Sequence, residues 1–470
     1  LEAQVPTSYD LVIVGGGPAG YVGAIRAAQL GLRTAVVERA KVGGICLHWG
    51  CVPTKALLHA AEVVDHLRGA SALGIETGPV TINYAKMQER KAAVVEQLHK
   101  GTQFLLRKNK VDVFIGAARF AGPTQVEVAL ADGSQTILDS KHVLIATGSA
   151  PRSIPGVKID NATRVIDSTG VLALTGVPAS MAILGAGAVG VEFASLFRAL
   201  GTEVTIIELL PALVPLEDPE ISKTLERAFT RKGITVHTGA TAKAVAIRPD
   251  GVDVTVEKAG ATSTVSAEYL LVAVGRAPVI EGLGLDAAGV QVERGAVKVD
   301  AHFKTSAANV YAVGDVIGGA YRLAHVGSDE AIHAVETIAG HSPAAINYNT
   351  VPRPTFSIPQ VATMGLSEPQ AQEQGHEVKV GRFQFAANTK ASIQGEREGF
   401  VKVVTDASTG EILGMHMIGP SVTELLAEGV AAKYLEGTVH EVGAAVHAHP
   451  TLAEAVKEAC LDAMGRVLHA

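Results

Sequence analysis

The chain has 470 residues, 47% of them hydrophobic, and a formal net charge of −7; it is too long for one core and sized for three or four domains. The negative balance gives no support to nucleic-acid or anionic-membrane binding, and no apolar run approaches the roughly 18 residues of a membrane span. Three cysteines, an odd number, argue against a secreted disulfide scaffold and for a reducing cytoplasm, and Leu1–Ser8 carries neither a basic n-region nor an Arg-rich transit pattern.

Tyr9-Asp10-Leu11-Val12-Ile13-Val14 reads as a buried strand that enters Gly15-Gly16-Gly17-Pro18-Ala19-Gly20 and then a helix from Tyr21 to Leu30. A second strand, Thr34 to Val37, ends on Glu38, 23 positions after Gly15. Gly15, Gly17 and Gly20 thus stand at G-x-G-x-x-G spacing in the strand–helix–acid context that a dinucleotide fingerprint requires. The first glycine permits the tight turn, the second the close approach of a pyrophosphate, the third close helix–strand packing. Glu38 is placed to accept hydrogen bonds from a ribose diol. A glycine-rich turn with no ligand is the plainer alternative, and the complete context weighs against it.

The next stretch is Gly43-Gly44-Ile45-Cys46-Leu47-His48-Trp49-Gly50-Cys51-Val52-Pro53-Thr54-Lys55, with two of the three cysteines five positions apart. Ala56 to Val64 predicts a helix, and Pro53 suits a first helical turn. Residues i and i+5 of a regular helix have Cα atoms roughly 8–9 Å apart, beyond the ~7 Å that disulfides usually allow. If the sulfurs bond, the backbone must bend at the helix N-terminus, where the dipole lowers a thiol's pKa. Two buried free cysteines remain an alternative at this point. So does a metal or iron–sulfur site, although such sites usually take four ligands and only Cys460 is left to contribute.

Met87 to Asn109 predicts a long helix, and Asp112–Gly116, Gln125–Val128 and Val143–Ala146 predict strands. Thr147-Gly148-Ser149 closes the first domain with a turn able to offer backbone donors to a phosphate. The fingerprint then repeats. Met181 to Leu184 leads into Gly185-Ala186-Gly187-Ala188-Val189-Gly190, a helix through Leu200 and a strand, Glu203 to Ile207, ending on Glu208, again 23 positions after the first glycine. Two complete fingerprints imply two dinucleotides. With no Arg or Lys between Glu203 and Lys223, Glu208 favours a free 2′-hydroxyl, hence NAD over NADP. Strands at Val252–Val256 and Tyr269–Val274 follow, and Gly275-Arg276-Ala277-Pro278 closes this domain. Val310–Val313 is one more buried strand, ending at Gly314-Asp315, where open α/β sheets bind ligands; a helix N-cap is the competing role for Asp315.

From about Asn347 the pattern changes to strands at Lys379–Phe385, Gly399–Thr405 and Ile412–Ile418 that alternate by two. Helices at Ser421–Leu435 and Val439–Val446 follow, then His447-Ala448-His449-Pro450-Thr451-Leu452-Ala453-Glu454 and a last helix to Met464. The fold class is therefore α/β: two Rossmann-like βαβ dinucleotide-binding domains and a C-terminal α+β unit whose small-residue helices suit an intersubunit surface.

Taken together, the cysteine stretch between two fingerprints, Gly314-Asp315 and His449-Pro450-Thr451-x2-Glu454 resemble the flavoprotein disulfide reductases, most of all their dihydrolipoyl dehydrogenase branch, from about Tyr9 to the C-terminus. The resemblance implies an FAD-binding domain (1–150), an NAD-binding domain (151–278), a central domain completing the FAD site (279–346) and a dimerisation domain (347–470). It implies non-covalent FAD held by Gly15, Gly17, Gly20, Glu38, Arg39, Gly44, Cys46, Lys55, Ala118, Thr147, Gly148, Ser149, Asp315, Arg322, Leu323, Ala324 and His325. It likewise implies NAD held by Gly185, Gly187, Gly190, Glu208 and Gly275. Cys46 would be the interchange thiol and Cys51 the thiol beside the flavin. Lys55 would pair with Glu192, and His449, oriented by Glu454, would be the acid/base serving the other subunit of a homodimer. The implied partner is a lipoyl-bearing acyltransferase of a 2-oxo acid dehydrogenase complex, and the implied reaction is oxidation of protein-bound dihydrolipoamide by NAD⁺.

The residue types suit that chemistry. An attacking dithiol must lose protons, and imidazole titrates in the right range; flavin couples thiol chemistry to hydride transfer. His447 is the nearest competing candidate, and the proline and spaced glutamate after His449 decide against it. His48, Trp49, Ala188 and Val326-Gly327 depart from the family pattern. A glutathione- or mercuric-type reductase would prefer NADPH, which Glu208 disfavours, and the mercuric type adds a C-terminal cysteine pair absent here. A non-catalytic docking flavoprotein would need none of the Cys46, Cys51, Lys55, His449 and Glu454 set.

Overall fold

The computed structural model describes residues 7–319 and 321–469; most of the N-terminal stretch read as free of a targeting pattern lies outside the described residues. The chain forms two compact units. The first gathers the chain up to Ala56 with Ala85–Arg152 and Gly275–Ile346; the second gathers Leu57–Tyr84, Ser153–Val274 and the chain from Asn347 onward.

In the first unit, the strands Asp112–Gly122, Thr34–Glu38, Thr7–Val14, Gln135–Ile145 and Val310–Ala312 lie side by side in that order, parallel at every junction. Thr34–Glu38 is buried along its whole length, as expected of a parallel strand covered on both faces. Gln125–Leu130 adds antiparallel ladders to the outer parts of Asp112–Gly122 and Gln135–Ile145. Those two strands are longer than their apolar runs predict, because their outer parts alternate buried and exposed positions while pairing with Gln125–Leu130. Helix Pro18–Gln29 packs closely on helix Ala324–Ile338. A Cβ on Gly23 would lie 3.2 Å from the Ala331 methyl, and one on Gly327 would lie 3.4 Å from both Ala19 Cβ and Gly314 Cα. The unexpected glycine at 327 thus sits where two elements meet almost backbone to backbone.

In the second unit a parallel sheet runs Thr235–His237, Glu203–Ile207, Ser180–Leu184, Tyr269–Val272, Val165–Ile166, followed by the antiparallel meander Ala240–Arg248, Gly251–Lys258, Ala261–Ala267. The C-terminal part is an antiparallel sheet in the order Arg353–Thr355, Gln360–Gly365, Ile412–Gly419, Phe400–Asp406, Val378–Gln384. Alternation by two holds only on the edge strand Val378–Gln384. The central strands Phe400–Asp406 and Ile412–Gly419 are buried almost throughout, because helices Val422–Tyr434 and Glu454–Ala463 and, separately, Pro219–Arg231 all pack on this sheet.

Burial on those central strands includes Lys402, whose Nζ lies 3.0 Å from Asp218, 2.6 Å from Glu220 and 2.9 Å from Glu368. Arg382 reaches Glu220 at 2.7 Å. The Arg382 hydrogen bonds, with those of Lys402, hold the Glu220 carboxyl down at about 2 despite its partial burial. Asp218 caps helix Pro219–Arg231 by accepting from the Glu220 N–H, so one buried ammonium joins a helix N-terminus to the sheet. No helix among the described residues is long and apolar enough to cross a membrane.

Candidate active site

The two fingerprints have the same internal geometry. Gly15 and Gly185 adopt left-handed φ values of 109° and 98°, and a Cβ on either would fall within 2.5 Å of the carbonyl oxygen of Ala146 or Ala273. A Cβ on Gly20 would lie 1.8 Å from the Gly15 carbonyl oxygen, and one on Gly190 2.0 Å from that of Gly185. Gly17 and Gly187 face open space instead, each at the N-cap of its helix. That is the cradle a pyrophosphate needs: free backbone N–H groups at a helix N-terminus with no side chain in the way.

The acids behave alike too. Glu38 accepts from the Gly16 and Ala40 N–H groups, both at 2.8 Å; Glu208 accepts from Ala186 at 2.6 Å and Leu210 at 2.8 Å. Each carboxylate thus braces its glycine loop and has lone pairs left to accept further hydrogen bonds. Arg39, beside Glu38, is exposed.

Beyond Glu38 the chain turns back onto its own glycine loop. The Gly43 N–H donates to the Gly16 carbonyl at 2.7 Å, and a Cβ on Gly44 would lie 2.7 Å from Gly17 Cα. The helix Gly44–Trp49, carrying Cys46, starts here and breaks at Gly50; helix Cys51–Gly69 begins with the second cysteine. The expected helix therefore starts at Cys51, ahead of Ala56, and the backbone breaks between the cysteines, the bend that a bond between them would need. Neither is disulfide-bonded in this structure. The hydrogen bond between Cys46 and the Cys51 side chain, then burial, push the Cys46 thiol up, and the Lys55 ammonium draws it back. The pair is poised so that one sulfur holds a proton against the other, which opposes the helix-terminus assistance expected for Cys46.

The two closing turns pair with each other, which their sequence does not announce. Ser149–Pro151 and Arg276–Pro278 form an antiparallel ladder, Thr147 Oγ1 donates to the Val279 carbonyl at 2.7 Å, and Gly148 and Gly275 take left-handed φ values. Ser149 is buried; its hydroxyl accepts from Arg276 Nε at 2.7 Å and donates to Asp315 Oδ2 at 2.5 Å. Its side chain is committed inside the protein, and the turn can present only backbone outward. Asp315 sits on the single turn Gly314–Ile317, whose N-cap is Val313, so the capping role does not apply to it. Glu330, a buried residue the sequence reading missed, accepts from the Gly314 N–H at 2.7 Å. Leu323 is the N-cap of helix Ala324–Ile338, Arg322 and His325 are exposed, and Ala118 packs against the core below the parallel sheet.

In the second unit, His449 Nδ1 lies 2.9 Å from Glu454 Oε1, and the other Glu454 oxygen accepts from the Thr451 N–H at 2.9 Å. Burial alone would raise the Glu454 carboxyl, but these two bonds bring it below its ordinary value. The His449 side chain is 66% exposed. His447 is the opposite case, 8% exposed, with Glu428 at 2.7 Å from Nε2 and the Ala445 carbonyl at 3.1 Å from Nδ1. Glu192 lies on the buried helix Ala188–Leu200 and accepts from the Phe356 N–H at 3.0 Å. Among the described residues no cluster of three or more metal-ligating side chains occurs.

Two dinucleotide cradles, a bent dithiol segment and a histidine–carboxylate pair define a nicotinamide- and flavin-linked thiol oxidoreductase, and comparison with known proteins agrees. Residues 9–331 match the pyridine nucleotide-disulphide oxidoreductase family and residues 351–460 match its dimerisation domain; the chain belongs to this family, whose cofactors are FAD and NAD. It is 45% identical to the dihydrolipoyl dehydrogenase of Bacillus subtilis, over 98% of this chain and 99% of that one, and 45% identical to that of Chlorobaculum tepidum, over 97% of each. Among solved structures it resembles LpdA of Mycobacterium tuberculosis, with a TM-score of 0.90 at 27% identity over 97% of this chain and 99% of that one. It also resembles the HOCl-induced flavoprotein disulfide reductase RclA of Escherichia coli, with a TM-score of 0.87 at 27% identity over 97% and 99%.

Proposed function

We infer that this chain is a dihydrolipoyl dehydrogenase, a homodimeric cytoplasmic enzyme that oxidises protein-bound dihydrolipoamide to lipoamide and reduces NAD⁺. The observation that carries the reading is the Cys46–Cys51 thiol contact across the break at Gly50, on a segment clamped to the first nucleotide loop. FAD fits that loop through Gly15, Gly17, Gly20, Glu38 and the backbone of Thr147-Gly148-Ser149, and NAD fits the second through Gly185, Gly187, Gly190 and Glu208. Bound FAD supplies the two-electron relay between the dithiol and NAD⁺.

With the pair oxidised, one substrate thiolate attacks Cys46 Sγ, the Cys46–Cys51 bond breaks, and Cys51 leaves as thiolate. The second substrate thiol then attacks the lipoyl sulfur of the mixed disulfide, closing the lipoamide ring and releasing Cys46. His449, held by Glu454, accepts the protons these attacks release. Lys55 stabilises negative charge on the pair, with Glu192 as its expected partner. The division into domains 1–150, 151–278, 279–346 and 347–470, the delivery of His449 to the partner's cysteines, and docking on a lipoyl-bearing acyltransferase belong to the same reading.

The test is NAD⁺-dependent oxidation of dihydrolipoamide by the purified FAD-loaded protein, with Cys46→Ser expected to abolish turnover and to leave FAD binding and dimerisation intact. Turnover surviving in Cys46→Ser, or a preference for NADP⁺, would overturn it. Co-purification of a lipoyl-bearing acyltransferase from cells tests the partner.

A further inference from the structure

Two imidazoles converge on one backbone oxygen beside the cysteine pair. The carbonyl of Val42 lies 2.9 Å from His48 Nε2 and 3.1 Å from His99 Nδ1. A carbonyl only accepts, so each of those nitrogens carries a proton. The rings meet edge to face with centroids 4.8 Å apart, and the Trp49 ring lies 5.2 Å from that of His48. His48 belongs to the short helix of Cys46 and His99 to the long helix Tyr84–Lys108. One acceptor thus ties three elements together. Directly after it come Gly43, bonded to the Gly16 carbonyl, and Gly44, pressed against Gly17; this turn sets the cysteine helix on the nucleotide loop.

We propose that His48 and His99 are positioning residues for the Cys46–Cys51 pair: their two N–H donors, converging on the Val42 carbonyl, fasten the Val42–Gly44 turn that carries the cysteine helix. The proposal rests on the reading of Cys46–Cys51 as the redox pair.

The rate at which iodoacetamide alkylates Cys46 in the NADH-reduced holoenzyme at pH 8 reads the placement of that thiol. His48→Gln with His99→Asn keeps a donor at each bonded nitrogen, and its rate should stay within about twofold of native. His48→Leu with His99→Leu removes both donors and should lower the rate by about tenfold, the scale of lost buried hydrogen bonds. Emission from Trp49, the one tryptophan of the chain, should shift in the Leu variant and be restored in the Gln/Asn variant. A Leu variant alkylated at the native rate, or a Gln/Asn variant that loses as much as the Leu variant, would overturn the positioning role, and the dihydrolipoamide assay judges the redox reading separately. If the double Leu variant fails to fold, the single His48→Leu and His99→Leu variants decide, each expected to lower the rate by about threefold.

Discussion

The two nucleotide cradles share every internal bond and differ in what leaves them. In the first, the carbonyl after the leading glycine, that of Gly16, accepts from Gly43, and the chain runs on into the cysteine helix. In the second, the matching carbonyl of Ala186 accepts from Val214 at 2.8 Å, and the chain runs on to Asp218 and the helix it caps, tied to the sheet by Lys402. The same brace therefore launches chemistry in one copy and anchorage in the other. The cradle is a reusable part, and the five or six residues after its acid decide what it serves.

That contrast can be broken at several points. The largest effect is expected from Lys402→Met, which strands the fully buried Asp218 carboxylate beside the second cradle; loss of a buried partner costs about 3–5 kcal/mol. Chemical denaturation should report a drop of that size, and a change below about 1 kcal/mol would show the ammonium to be replaceable. Next come Gly20→Ala and Gly190→Ala, whose new methyls would strike the Gly15 and Gly185 carbonyls at about 3 kcal/mol each, the upper end for overpacking. The first should strip FAD, read from the ratio of flavin to protein absorbance. The second should keep FAD and lose NADH binding, read by titration of flavin reduction. Equal effects of both variants on FAD would mean the two cradles are not independent.

A smaller effect separates the acids. Glu38→Gln and Glu208→Gln each place an amide N–H₂ or a weaker acceptor against two backbone donors, at about 1.5 kcal/mol or roughly tenfold in affinity. Glu208→Gln should raise the KM for NADH without changing FAD content, and Glu38→Gln should do the reverse. The smallest effect concerns pH. The Glu454 carboxyl is held below its ordinary value by the Thr451 N–H and His449. Its contribution to stability is thus fully present above the ordinary Glu pKa and is lost as pH falls through the depressed value. His449→Gln should flatten the acid limb of the melting temperature by a degree or two, on the order of 0.5 kcal/mol for a partly exposed pair; an unchanged acid limb would show that the backbone bond alone holds the carboxyl down.

Much of this was legible in the chain because the signals are local. Gly15 to Glu38 and Gly185 to Glu208 announce their folds through fixed spacings, and the break between Cys46 and Cys51 is the bend that helical geometry demands if the two sulfurs are to bond. His449 could be told from His447 by the glutamate five positions on, and the structure sets them apart as an exposed and a sequestered ring. What was not legible depends on contacts far apart in sequence. Thr147-Gly148-Ser149 reads as a turn with backbone donors, and nothing near it in sequence announces that Arg276 and Asp315 take up the Ser149 side chain. Gly399–Thr405 reads as an alternating strand until helices pack on the sheet and bury it almost throughout, Lys402 included. Gly327 reads as a family departure until Gly314 and Ala19 are found against it, and nothing near His99 in sequence points to the cysteine loop.

The ladder between Ser149–Pro151 and Arg276–Pro278 has a consequence for how such a molecule can be taken apart. The Arg152 N–H donates to the Gly275 carbonyl at 3.2 Å, so the chain departs from the first unit and returns to it through adjacent strands, like the two leads of a plug-in component. Everything from Ser153 to Val274 is spliced in at one seam. A short turn joining Arg152 to Gly275 would bridge a gap no wider than the spacing of neighbouring strands, and would carry the first unit's sheet from Ile145 to Val310 without the intervening segment.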